Sequence, residues 1–186
     1  MHGGVLIAQY NSHSSSQDAA SRATASSVDK RALVEKIIAQ LGAELELLTK
    51  AARAAHSEAT HESSKAENKY DTRGLEASYL ARGQSRQAAE TALAIEELQK
   101  LPLRSFSETD EIDTGALVEL SAKRERNFYF IAPRAGGTEV DLDGNEVLVI
   151  TPQSPLGRQL VGRRQADKVQ VTIAGTTSEF RIASVV

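Results

Sequence analysis

The sequence predicts an α+β protein: a long antiparallel helical hairpin of coiled-coil type, followed by a small β-rich domain with one short helix. Three observations predict it. Proline is absent from residues 29–101, where apolar residues recur at alternating spacings of three and four. From residue 114 the apolar period changes to two. Between the two regimes stands Leu101-Pro102, and proline cannot continue a helix and restricts the residue before it.

Residues 1–28 are rich in Ser, Ala, Gln and Asn, with Asp18 and Arg22 as their only charges. So little apolar surface cannot offset the entropy of ordering, which predicts a flexible or non-native N-terminal extension. The first helical arm follows. Val34, Ile37, Leu41, Leu45, Leu48, Ala52 and Ala55 make one apolar stripe, and Ser27 or Asp29 is placed to cap its start. The second arm carries a looser stripe of Leu75, Tyr79, Ala89, Leu93, Leu98 and Leu101, interrupted by Gly83 and Arg86. Between the arms the apolar period lapses at Glu67-Asn68-Lys69-Tyr70-Asp71-Thr72-Arg73-Gly74, which sets the hairpin tip within 62–74. A single continuous helix dimerising in trans is the rival, and Gly74 with the polar tip favours the hairpin. An arm of about 30 residues is about 45 Å long and projects beyond any domain the rest of the chain could build.

Residues 102–113 read as a linker with an acidic cluster of Glu108, Asp110, Glu111 and Asp113. The domain at 114–186 reads as strands at 116–120, 128–131, 147–150, 169–173 and 180–182. Asp143-Gly144 and Ala174-Gly175-Thr176 supply turns, and the last two strands form a hairpin. The one helix of this zone lies within Ser154 to Val161, giving a small, mostly antiparallel domain.

Composition excludes several function classes. The net charge of −3, aromatics at 4% and no Trp argue against a dedicated nucleic-acid binder or a base-stacking platform. With no Cys there are no disulfides or thiolate metal sites. No apolar run spans a bilayer, and Gly4 to Ala8 is too short for a signal-peptide core, so the expected location is the cytoplasm. His56 and His61 are five apart, the wrong spacing for a helical zinc pair. Phosphate-binding glycine motifs and the serine nucleophile elbow are absent from the sequence.

The run Ser154-Pro155-Leu156-Gly157-Arg158-Gln159-Leu160-Val161-Gly162, then Asp167-Lys168-Val169 and the closing hairpin, resembles the C-terminal signature of the Gre-type (GreA/GreB) transcription elongation factors in order and spacing. The resemblance covers roughly 116–186. In the hairpin, Glu67-Asn68-Lys69-Tyr70-Asp71 is similar to the family's tip sequence. The resemblance implies an FKBP-like C-terminal fold without isomerase activity. It implies RNA polymerase as partner, with nascent RNA met only indirectly and no membrane, and a monomer. The globular domain, through Ser154, Pro155, Leu156, Gly157 and Arg158, would dock at the rim of the polymerase secondary channel, and the coiled coil would enter it. Tip acids would then assist a Mg²⁺ of the polymerase active site in cutting backtracked RNA. On this resemblance the factor would carry no cofactor or metal of its own and would not itself be an enzyme.

Carried over residue by residue, Glu67 falls on the family's tip Glu, while the other acid, an Asp in the family, is Ser64 here. Asp71 and Glu62 are the nearby substitutes. Two outcomes follow: cleavage stimulation through Glu67 and Asp71, or a regulator or inhibitor that enters the channel without cleaving. The bland alternative is that Glu67, Asp71 and Glu76 only solvate a helix end, with Asp71 as a cap. Lys123, Arg124 and Arg126 are candidate basic contacts to polymerase or RNA, or simply a polar loop. A coiled-coil protein-interaction adaptor is the reading of a different class.

Overall fold

The computed structural model describes residues 29–60, 73–122, 125–173 and 176–186. Helix α1 runs Lys30–Thr60 and helix α2 Arg73–Gln99. Asp29 caps α1: its Oδ1 accepts from the backbone N–H groups of Arg31 (2.9 Å) and Ala32 (3.3 Å), donors the helix itself cannot satisfy. The two helices form the hairpin, and Gln87 Nε2 reaches Glu44 Oε1 at 3.4 Å across it.

The stripe predicted for α1 faces its partner, with Val34, Ile37, Leu41 and Ala55 buried and Leu45, Leu48 and Ala52 half-buried. The stripe predicted for α2 does so only at its C-terminal end, where Leu98 is buried and Leu101 packs against the same core. Leu75 and Tyr79 are 56% and 67% exposed, Leu93 is 39% exposed and Ala89 is exposed. The inward positions are Ala77, Ala81, Gln84, Ala88, Thr91, Ile95 and Leu98, which keep the spacings of three and four. The reason is electrostatic. Turning the larger stripe inward would carry Arg82 and Arg86 into an apolar seam, and burying unpaired charge costs more than the extra leucine surface returns.

After Pro102 the chain builds one six-stranded sheet. Its strands are β1 (Leu117–Ala122), β2 (Glu125–Ile131), β3 (Glu139–Leu142), β4 (Asn145–Ile150), β5 (Lys168–Ile173) and β6 (Thr176–Val185), in the order β3-β4-β2-β1-β6-β5. The β2–β4 pair is parallel and the other neighbours are antiparallel. Strand β3 was not anticipated from sequence. It joins β4 through Asp143 and Gly144, both in the left-handed region (φ 54° and 80°), the conformation a two-residue hairpin turn requires. Helix α3 is shorter than expected, Gly157–Leu160 alone.

Both sheet faces are covered, which explains the unbroken apolar runs at 128–131 and 147–150. One face presents Leu117, Phe130, Val140, Leu142, Val147 and Val149 to the base of the hairpin, where Leu33, Val34, Ile37, Leu41, Ala94 and Leu98 meet them. The other presents Val118, Leu120, Tyr129, Ile131, Val169, Val171, Phe180 and Ile182 to Phe106, Ile112 and Leu160. The hairpin is therefore seated in one of the sheet's two cores.

The segment 102–113 is folded onto this body. Ile112 is buried, its N–H donates to Arg163 O (2.8 Å), and its carbonyl accepts from Gly162 N (2.9 Å). Its acids are held locally: Asp110 Oδ2 accepts from the Ser107 N–H at 2.7 Å, and Glu111 pairs with Arg164 at 2.8 Å. That hydrogen bond from Ser107, with Arg104 nearby, lowers the pKa of Asp110.

Candidate functional site

The Ser154–Gly162 turn builds itself from its own polar groups. Ser154 Oγ donates to Thr151 O at 2.8 Å and accepts the Gly157 N–H at 3.0 Å. The Ser154 N–H also donates to Thr151 O, at 3.0 Å. Gly157 stands where the backbone approaches most closely: a Cβ there would lie 2.0 Å from Thr151 O. One turn of helix then drops Leu160 into the core, fully buried, and Leu156 packs against the same cluster. Gly162 ends the run in the left-handed region at φ 79°.

Ser154 and Gly157 thus serve the turn, whereas Pro155, Arg158, Gln159 and Val161 are displayed to solvent. Arg158 Nε donates to Gln153 O at 2.9 Å, which fixes the root of its guanidinium. Beside α3 lies an open polar groove of about 520 Å³, lined by Arg104, Asp110, Glu111, Asp113, Val161 and Arg164 among others. Its charges of both signs are largely paired across the groove, as in Arg104–Asp110 (3.7 Å) and Arg164–Glu111. Paired surface charges of this kind make salt-sensitive contacts.

Arg126 is not a free basic contact. Its Nε donates to Glu119 Oε1 at 2.6 Å, and Ser184 Oγ donates to Glu119 Oε2 at 3.1 Å. The Glu119 side chain is 7% exposed and that of Arg126 39%. The hydrogen bond to Glu119 raises the pKa of Arg126. The guanidinium also lies 5.5 Å from the Phe128 ring centre. Lys123 and Arg124 lie outside the described residues, as do Ser64, Glu67 and Asp71. Among the described residues no group of three His, Asp or Glu side chains could hold a metal ion, and no helix is long and apolar enough to cross a membrane.

Two charged groups escape the sequence reading. Glu119 sits within an apolar strand, where its period-two position was the available signal. Lys30, at the first position of α1, is 8% exposed and donates to Arg104 O and, at 3.3 Å, to Gly115 O. Phe106 lies 4.9 Å from its ammonium and carries the Arg104 guanidinium at 3.8 Å. Burial, reinforced by Arg104, brings the Lys30 pKa from 10.5 down to about 8. These partners lie about 75 residues or more away in the chain, so no local pattern announces them.

No family model and no curated protein matches this chain. Solved structures do show likeness. GreA factor homolog 1 of Thermus thermophilus is 23% identical, with 80% of this chain and 93% of that chain covered and a TM-score of 0.33. Gfh1 of Thermus aquaticus is 23% identical, with 84% and 93% covered and a TM-score of 0.34. The transcription elongation factor GreA/GreB of Nitrosomonas europaea is 21% identical, with 55% and 78% covered and a TM-score of 0.30. At these identities and TM-scores the likenesses assign no function to this chain.

Proposed function

We propose that this protein binds RNA polymerase, docking by its sheet domain and inserting the hairpin into the secondary channel. The observation that carries the reading is the Ser154–Gly162 signature on a domain that holds a long hairpin by its base. Leu33 to Leu41 of α1 and Ala94 to Leu98 of α2 are fixed in the sheet's core. Beyond them α1 continues from residue 42 to 60, about 28 Å, with α2 as its companion. Such a probe reaches a site remote from where its base is bound.

The chain contributes no catalytic centre of its own in this reading. Any chemistry would belong to the polymerase and its Mg²⁺, and carboxylates suit that hard cation. Ser64 stands where the family pattern has an acid, leaving Glu67 alone at a matched position. That substitution favours a channel-entering regulator that does not stimulate cleavage.

Gel filtration with core polymerase at micromolar concentration tests the first part: co-elution is expected, and its absence overturns the reading. RNA cleavage in backtracked complexes tests the second. Wild type is expected to match the factor-free rate. Stimulation that is lost in Glu67→Ala or Asp71→Ala would instead make the protein a cleavage factor.

A further inference from the structure

Helix α2 carries two apolar stripes on opposite sides, and α1 covers the one made of smaller residues. The uncovered stripe runs from Leu75 through Tyr79 and Ala89 to Leu93, which stands eighteen residues after Leu75, five turns along the same face. Both ends of this face, about 27 Å apart, expose large apolar side chains, Leu75 and Tyr79 at 56% and 67% and Leu93 at 39%. Its centre is cationic. Arg82 and Arg86 lie on the same face, Arg86 pairs with Glu90 at 3.0 Å, and Arg82 has no ion pair among the described residues.

We infer that this outer face of α2 is a docking surface for a protein partner that is apolar at both ends and acidic at its centre. The charge pattern selects that occupant. A second copy of the chain packed antiparallel would set Arg82 against the other copy's Arg86. A parallel copy would set each arginine against itself. Either arrangement desolvates like charges. An acidic centre satisfies Arg82 while the flanking apolar contacts bury Leu75, Tyr79 and Leu93. The inference rests on the polymerase reading, in which this surface belongs to the polymerase, and it places a second contact on the hairpin, apart from the sheet domain.

The test uses the full chain with Leu75→Gln, Tyr79→Gln and Leu93→Gln combined, and separately Arg82→Glu. Glutamine keeps helix propensity close to that of leucine. Affinity for core polymerase is read by titration, oligomeric state by sedimentation, and folding by the thermal midpoint. Both variants are expected to bind at least tenfold more weakly, with midpoints within about 2 °C of wild type, and Arg82→Lys is expected to retain affinity. Wild-type binding with no loss in the triple variant overturns this inference and leaves the docking reading standing. Failure of wild type to bind overturns both. A dimer that the triple variant dissociates would give the face to a second copy. A clearly lowered midpoint without polymerase would mean the chain already covers it, and either result overturns the inference.

Discussion

Gly157→Ala is the sharpest perturbation the fold offers. The added Cβ would lie 2.0 Å from Thr151 O, 1.0 Å inside the 3.0 Å below which something must move, and the obstacle is backbone. Moving Thr151 O aside weakens two bonds it accepts, from the Ser154 N–H (3.0 Å) and Ser154 Oγ (2.8 Å). Moving Gly157 instead breaks its bond to Ser154 Oγ and drags Leu160 in the core. Two or three hydrogen bonds at about 1 kcal/mol each, with some core strain, outweigh the ~0.5–1 kcal/mol that alanine returns over glycine in a helix. The expected net loss is about 2–4 kcal/mol. Urea unfolding followed by circular dichroism measures it. Gly42→Ala and Gly83→Ala are the controls. Both sites lie inside helices with nothing within 4 Å of an added Cβ, and both should gain about 0.5–1 kcal/mol. A Gly157→Ala protein within about 0.5 kcal/mol of wild type would refute the steric reasoning.

Two further outcomes follow from buried charge. The unfolded chain holds the Lys30 proton up to about pH 10.5, whereas the folded chain releases it near 8. The unfolded state therefore binds more protons in that window, and stability rises with pH from about 8 to about 10.5, by at most ~3 kcal/mol. Lys30→Met should flatten that rise, and an unchanged pH slope would count against a depressed lysine. Glu119 and Arg126 should show a coupling of about 1–2 kcal/mol in a double-mutant cycle of Glu119→Gln and Arg126→Gln, below the range for a fully buried pair because Arg126 is part-exposed. A coupling under about 0.3 kcal/mol would make the bridge incidental.

Period and punctuation made much of this architecture legible. The α1 stripe from Val34 to Ala55, the stop at Pro102 and the switch to period two each follow from local rules, and the two long helices and the sheet are where those rules put them. The face of α2 is only partly legible, because its larger apolar residues share their stripe with Arg82 and Arg86, while Leu98 is buried as its spacing predicts. Charge spacing decided the seam, and Ala77, Ala81 and Ala88 supplied it. Strand β3 was hidden by its composition: Glu139 and Asp141 disfavour strands, and only the alternation with Val140 and Leu142 marks it. The hairpin's seat on the sheet was illegible because Leu33 and Phe130 meet through tertiary packing alone. The turn at Ser154 was legible as a turn. Its internal hydrogen bonds were not, because they depend on where Thr151 O lies.

The turn's construction separates what its sequence marks from what it can touch. A serine bonded on both sides of its Oγ and a glycine with no room for a Cβ are demanded by the backbone whatever the partner. A sequence keeping those two residues therefore preserves a shape, and recognition must come from side chains the shape displays, with Arg158 and Val161 the charged and apolar members. The hairpin inverts this arrangement. The inner positions of α2 are mostly small, as at Ala77, Ala81 and Ala88, whereas its outer face carries Leu75, Tyr79, Arg82 and Leu93, whose exposure serves neither the seam nor the core. The docking face inferred for α2 would therefore add a second recognition surface to the side chains that the motif displays. Substitutions on that face should change partner affinity without changing the fold, whereas changes to Ser154 or Gly157 should alter both together.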